Sequence, residues 1–171
     1  MRRSSFVILL FLLAACASTP SFDTSGVDRS LTPQRVAARP QGAVGKNVQW
    51  GGTIVDTTNL QGSTQMEVLA YPLDADGRPR ADSNAQGRFI FERAGYLEPA
   101  TYADGRLITV VGKVTGARVG KVGESDYTYP VVAARQLYLW PAGGRREGAR
   151  TYFGIGVGSG DSWGSGVGIG F

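Results

Sequence analysis

The one thiol of this chain, Cys16, directly follows Leu13, Ala14 and Ala15. Upstream lie Arg2 and Arg3, then an unbroken apolar run from Phe6 to Leu13. A positive start, an apolar run of ~7–15 residues and a small-residue step make an export signal. The run is too short to span a bilayer, which takes ~20 apolar residues. Taken alone, these residues fit a plain export signal with an incidental cysteine as well as one whose thiol is itself modified.

Other catalytic chemistry is hard to assemble from this composition. The chain has no histidine, which removes the usual general base and the commonest zinc ligand. Serines are present, but a Ser-His-Asp triad is impossible and no Ser-x-x-Lys string occurs. Gly116 to Lys121 (GARVGK) is one residue short of a phosphate-binding loop, and Val122 stands where Ser or Thr is needed. The glycines near the C-terminus never satisfy G-x-G-x-x-G. Asp74, Asp76 and Gly77 start like a calcium loop, but Arg78 and Ala85 fall at the fifth and twelfth positions, so the ligand set fails and an acidic turn remains. Glu67, Glu92 and Glu98 make a carboxylate pair only if the fold brings two of them together; solvated surface is the default.

The remaining candidates are aromatic. Tyr96, Tyr102, Tyr127, Tyr129, Tyr138 and Trp140 cluster late in the chain, with Arg88, Arg106 and Lys121 among them. Exposed on a small barrel, such rings are stacking platforms for sugars or bases. Tyr96, Tyr102, Arg106, Tyr127 and Tyr129 are therefore the candidate ligand face, with an anionic glycan as the fitting ligand. Packing in the core or at its rim is the alternative use of the same residues. Nucleic acid is not expected. Eighteen bases face fourteen acids, a formal charge of +4. Arg2 and Arg3 leave with the signal and take no acid with them, so the balance falls to +2, too little to bind a polyanion.

The elements that must position these residues read as strands. Asn47 to Asp56 alternates and carries Gly51-Gly52, which suggests a bulge or bend that lets a long strand curl. Gln65 to Leu73 is a second strand, with Pro72 confining it to an edge or an end. Asp74 to Ala85 is a polar loop, Gly87 to Arg93 a third strand, and Ala94 to Gly105 a connection with room for one helical turn. Arg106 to Thr115 is a fourth strand, Gly116 to Tyr129 a polar crossing, and Pro130 to Trp140 the fifth strand. Five strands with turn signals between them and no long helical period give an all-β fold, a small five-stranded OB-like barrel, with an open sandwich as the alternative. The expected core is Val48, Trp50, Ile54, Met66, Val68, Phe89, Phe91, Ile108, Val110, Val132 and Leu137.

Before the barrel, Ala17 to Pro40 is rich in Ser, Thr, Pro and Gly and reads as a tether, with a weak strand near Gln34 to Ala37 that docks on the domain. After it, a basic hinge leads into TYFGIGVGSGDSWGSGVGIGF, where glycine alternates with apolar residues. That stretch fits a flexible tail, or a hairpin turned at Gly160-Asp161 with one apolar face for a membrane or another chain.

The string LAAC at Leu13 to Cys16 resembles the lipobox of bacterial lipoproteins. Further along, VQWGGTI (Val48 to Ile54), MEVLAYPLD (Met66 to Asp74), GRF (Gly87 to Phe89), GYLEPATYADGRLITVVGKVTG (Gly95 to Gly116), KVGESDYTYPVV (Lys121 to Val132) and LYLW (Leu137 to Trp140) resemble the Slp family of outer-membrane lipoproteins. The resemblance implies cleavage between Ala15 and Cys16, a diacylglyceryl group on the Cys16 thiol and an acyl chain on its new amine. No other cofactor is implied, and no catalytic residues are carried over. Three acyl chains make attachment stable. Ala17, not the Asp that resembles an inner-membrane retention signal, follows the cysteine, which favours the outer membrane. The expected orientation there is periplasm-facing.

The expected organisation is thus a signal peptide at 1–15, a lipid-anchored tether at 16–43, the barrel at 44–141 and a Gly-rich tail at 142–171. The expected role is non-catalytic support of the envelope, with an envelope protein or glycan as candidate partner. The alternative is a periplasmic module that binds a glycan or other envelope ligand through its OB-like face.

Overall fold

The computed structural model describes residues 20–142. The signal segment with Ala15 and Cys16, and the Gly-rich tail from residue 143, lie outside them. The elements are a short helix α1 (Pro33–Ala38), a single 3-10 turn (Pro40–Gly42), and strands β1 (Asn47–Leu60), β2 (Ser63–Ala70), β3 (Arg88–Ala94), β4 (Leu107–Val122) and β5 (Ser125–Leu139). The strands close a barrel in the order β1-β2-β3-β5-β4, as the all-β reading expects.

Three long strands, β1, β4 and β5, make closure possible. β1 pairs with β4 over Asn47–Thr53 and with β2 over Gly52–Leu60, so it belongs to both walls and turns between them. The turn falls at Gly51-Gly52. A Cβ on Gly52 would collide with the backbone carbonyl of Leu69, and one on Gly51 would lie 2.7 Å from the carbonyl oxygen of Ile108. Glycine is needed there because two neighbouring backbones occupy the space of a side chain. A register shift between Ile54 and Asp56 adds further twist just beyond the bend.

β4 and β5 form one long antiparallel hairpin, paired from Ile108 and Leu139 to Val122 and Ser125. This corrects the reading of Gly116 to Tyr129 as a polar crossing. Much of that segment is exposed strand, and its polar side chains conceal the pairing. The barrel's last seam is a parallel contact of three pairs, Ile90 with Val131, Phe91 with Val132 and Glu92 with Ala133.

The core follows strand alternation. In β2, Thr64, Met66, Val68 and Ala70 are buried and their neighbours are half-buried. Every expected core residue is buried except Leu137, which packs against the core from its edge. Trp50 and Phe89 meet edge to face, with ring centroids 5.2 Å apart.

The segment read as a tether is packed from Phe22 onward. The expected strand near Gln34 to Ala37 is instead α1. Thr32 caps it through its hydroxyl, which accepts the Arg35 N–H, Pro33 opens it, and Pro40 ends it. Six residues are too few to display a helical period in sequence. Val36, 1% exposed, joins the core with Ala43, and the indole N–H of Trp50 donates to the Leu31 carbonyl at 2.7 Å. The β3–β4 connection contains no helix; one α-turn, Tyr102 N–H to Glu98 carbonyl, stands there.

Candidate functional site

A groove lies where the chain enters the barrel. It has a volume of about 460 Å³ and runs between the N-terminal segment (Pro20, Phe22, Arg29, Thr32) and the β2–β3 loop (Pro72 to Gly77), floored by Gln49 and Trp50 and closed by Gln86. The loop is shaped by Asp74, whose Oδ1 accepts the N–H of Asp76 at 3.0 Å and of Arg78 at 2.8 Å. This is the acidic turn expected from the sequence. Gly77 follows at φ +80°, a left-handed conformation that favours glycine, and a Cβ there would lie 2.9 Å from the Phe22 ring.

Behind the loop, Thr109 is fully buried. Its hydroxyl accepts the Trp140 indole N–H at 2.9 Å and donates to the Gly77 carbonyl at 2.7 Å. One side chain on β4 therefore fastens both the groove loop and the end of β5. The Arg78 guanidinium lies 5.2 Å from the centroid of the Trp140 ring, a cation–π contact. The N-terminal segment is fixed to the same place. Asp23 N–H donates to the Gln136 side-chain oxygen at 2.8 Å, and Arg135 pairs with Asp23. Ser25 hydrogen bonds, and then Arg135, hold the Asp23 carboxyl below its usual range; Ser30 and Lys46 do the same for Asp28.

The candidate ligand residues fall into two sets. Tyr96, Tyr102 and Arg106 belong to the β3–β4 connection. Tyr96 is 66% exposed and donates to Glu98, which raises its pKa, while Tyr102 packs against the core. Arg106 donates to the carbonyls of Thr101 and Trp140, and its buried Nε has no partner.

Tyr127 and Tyr129 lie instead on β5, edge to face with centroids 4.8 Å apart. The Tyr127 hydroxyl accepts the Arg88 N–H, and Tyr129, 4% exposed, donates to the Lys121 carbonyl and lies beside Glu67. Glu67 pairs with Arg88, and Arg118 bridges to Gln65 and Glu92. These bonds fasten the β4–β5 hairpin across the β2–β3 pair, beside the short parallel seam. Burial, and then the Glu67 carboxylate, push the Tyr129 phenol up.

The groove residues went unread because they come from segments that look like tether and loop. Only the excess of turn-forming residues at Asp74 to Gly77 marks the place in sequence. What the groove offers is two aromatic side chains, two amide side chains, carboxylates and a cation. That set suits hydrogen bonding to a neutral or weakly charged polar ligand. Among the described residues no cluster of acids or thiols could hold a metal ion.

Fold and site together define a small closed β-barrel whose chain enters and leaves at one end. The chain belongs to the outer membrane lipoprotein Slp family, whose model matches residues 13–161. The uncharacterized lipoprotein YeaY of Escherichia coli is 35% identical over 133 residues, covering 75% of this chain and 67% of its own. The outer membrane protein Slp of the same organism is 27% identical over 143 residues, 82% and 76% of the two chains. Among solved structures, the mitochondrial single-stranded DNA binding protein Rim1 of S. cerevisiae aligns with a TM-score of 0.35 and 16% identity, over 56% of this chain and 94% of that one. That likeness is too slight for a shared function to follow.

Proposed function

We propose that this chain is lipid-anchored at Cys16 in the outer membrane, faces the periplasm and supports the envelope without catalysis. The observation that carries the anchor is the placement of LAAC, whose cysteine lies six positions before the first residue packed on the barrel, Phe22, inside the stretch the family model matches. The thiolate displaces the phosphorylated headgroup of a glycerophospholipid, so that a C–S bond replaces a C–O bond. The two alanines admit the peptidase, which hydrolyses the Ala15–Cys16 bond. The freed amine takes an acyl chain from a second phospholipid, which leaves as the lysophospholipid. The absence of histidine from the chain, and the use of Tyr127, Tyr129, Glu67 and Arg88 to fasten strands, support the non-catalytic role. Metabolic labelling with a palmitate analogue tests the anchor: label on the wild type and none on Cys16→Ser is expected, and an unlabelled wild type overturns it. Deletion of the gene tests the role; unchanged envelope permeability and stress survival count against it.

The groove favours a second reading, a ligand-binding module. Phe22, Gln49, Gln86 and Asp76 line it, and a ring flanked by amides and a carboxylate is a surface that sugars bind. Calorimetry with envelope glycan fragments, on wild type and Gln49→Ala, tests it. No heat up to millimolar fragment removes this reading.

A further inference from the structure

The path from the lipid-bearing residue to the barrel is very short. Cys16 to Phe22, where packing on the barrel begins, is six peptide steps, which span at most about 21 Å fully extended. From Phe22 on there is no slack, because Phe22 packs against Tyr138 and Gly77, Asp23 is held by Gln136 and Arg135, and Asp28 N–H donates to the Asn47 carbonyl. A lipid on Cys16 therefore keeps this end of the barrel within about 21 Å of the bilayer.

Trp140, where the barrel unit ends, lies at that same place, joined to the β2–β3 loop by Thr109 and Arg78. Phe22 and Tyr138 are both half-exposed there. Aromatic side chains with one apolar and one wet side are favoured at the headgroup level of membranes. Charge on this end is mixed, with Arg29, Arg78 and Arg80 near Asp74 and Asp76, so the leash and the rings set the contact, not a basic patch.

We infer that the barrel stands on the phospholipid headgroup layer by this end, with Phe22, Tyr138 and the Asp74–Arg78 loop against the lipid, its rings seated there within reach of the short leash. The groove then opens at the membrane surface, and the β1–β2 turn at Gln61-Gly62 points away from it. That turn is the length of β2 distant from the loop, about 23 Å at ~3.3 Å per residue. The inference rests on the reading of Cys16 as lipid-bearing.

The test uses the full lipidated protein in phosphatidylethanolamine/phosphatidylglycerol vesicles that carry a headgroup spin label. Cys16 is the chain's one cysteine, so once it is acylated an introduced cysteine is the one free thiol for a fluorophore. Ala75→Cys and Gln61→Cys are both exposed positions. Quenching of the label at 75 and none at 61 is expected. An insertion of about twenty Gly and Ser residues between Ser18 and Thr19, a coil of ~25 Å span, is expected to relieve the quenching at 75.

Equal quenching at both positions, or quenching at 61 alone, overturns the stance. Quenching at 75 that the insertion leaves unchanged overturns the leash as its cause. Mass spectrometry and vesicle flotation separate the two failures. Protein without acyl mass that does not float overturns the Cys16 reading and the stance with it, whereas acylated, floating protein with equal quenching overturns the stance alone.

Discussion

The ring of Phe22 meets the ring of Tyr138 edge-on, with centroids 6.3 Å apart and planes at 86°. The first described residues of the chain are thereby held against the last strand of the barrel. Edge-to-face pairs contribute about 0.5–1.5 kcal/mol beyond the area they bury. Phe22→Ala should therefore cost about 1 kcal/mol, and the effect should be local. Hydrogen exchange is expected to speed up over residues 20–30 and stay slow in β1 and β4.

A chain begun at Val44 should be much less stable than one begun at Pro20. It loses Val36 from the core and the Leu31 carbonyl that accepts the Trp50 indole N–H. Burial of a valine contributes about 1.5–3 kcal/mol and a net hydrogen bond about 1. A loss of about 3 kcal/mol in denaturant melts is expected, and equal midpoints for the two chains would contradict it.

Thr109→Val keeps the shape of the side chain and removes its hydroxyl. The Trp140 indole N–H and the Gly77 carbonyl are both left without their partner. Unpaired buried polar groups cost about 1–3 kcal/mol each. The variant should melt earlier, and its Trp140 environment should change in near-ultraviolet circular dichroism.

Gly52→Ala places a methyl group against the Leu69 backbone at the bend of β1. Overpacking typically costs 1–3 kcal/mol, and backbone, unlike a side-chain tip, cannot swing away, so about 3 kcal/mol or more is expected. Gly62→Ala, in the open β1–β2 turn, meets no neighbouring atom and suffers only from its φ of +83°. Thermal melts of the two variants should rank Gly52→Ala as the more damaged.

Tyr129 makes the β4–β5 fastening sensitive to alkali. Burial and the Glu67 carboxylate raise its pKa above the usual tyrosine value near 10. The native state then holds the phenolic proton more tightly than the unfolded chain. The stability this contributes is complete below pH 10 and is lost as pH rises through the folded pKa. Tyr129→Phe should be about 1 kcal/mol less stable at pH 7, through the lost hydroxyl bonds, and should lack this alkaline loss. Melts at pH 8 to 11, read beside tyrosinate absorbance, check both.

The sequence by itself determined the strand cores and the family. Val48, Met66, Val68, Phe89, Phe91, Ile108 and Val110 are readable because a half-buried strand must alternate. Gly51-Gly52 marked the bend because only a glycine pair lets three backbones converge. Tertiary structure alone decided the rest. Gly116 to Tyr129 resembles a loop because its outward strand residues are polar, and its partner lies across a hairpin. α1 is too short to show a period, and it exists because Val36 finds the core. Tyr127 and Tyr129 look like a ligand face in sequence, yet the three-pair parallel seam between β3 and β5 needs fastening, and their hydroxyls and rings do it. Which surface lies beside the leash was also beyond the sequence, since Phe22, Tyr138 and Asp74 to Arg78 are far apart in the chain and meet only when the barrel closes.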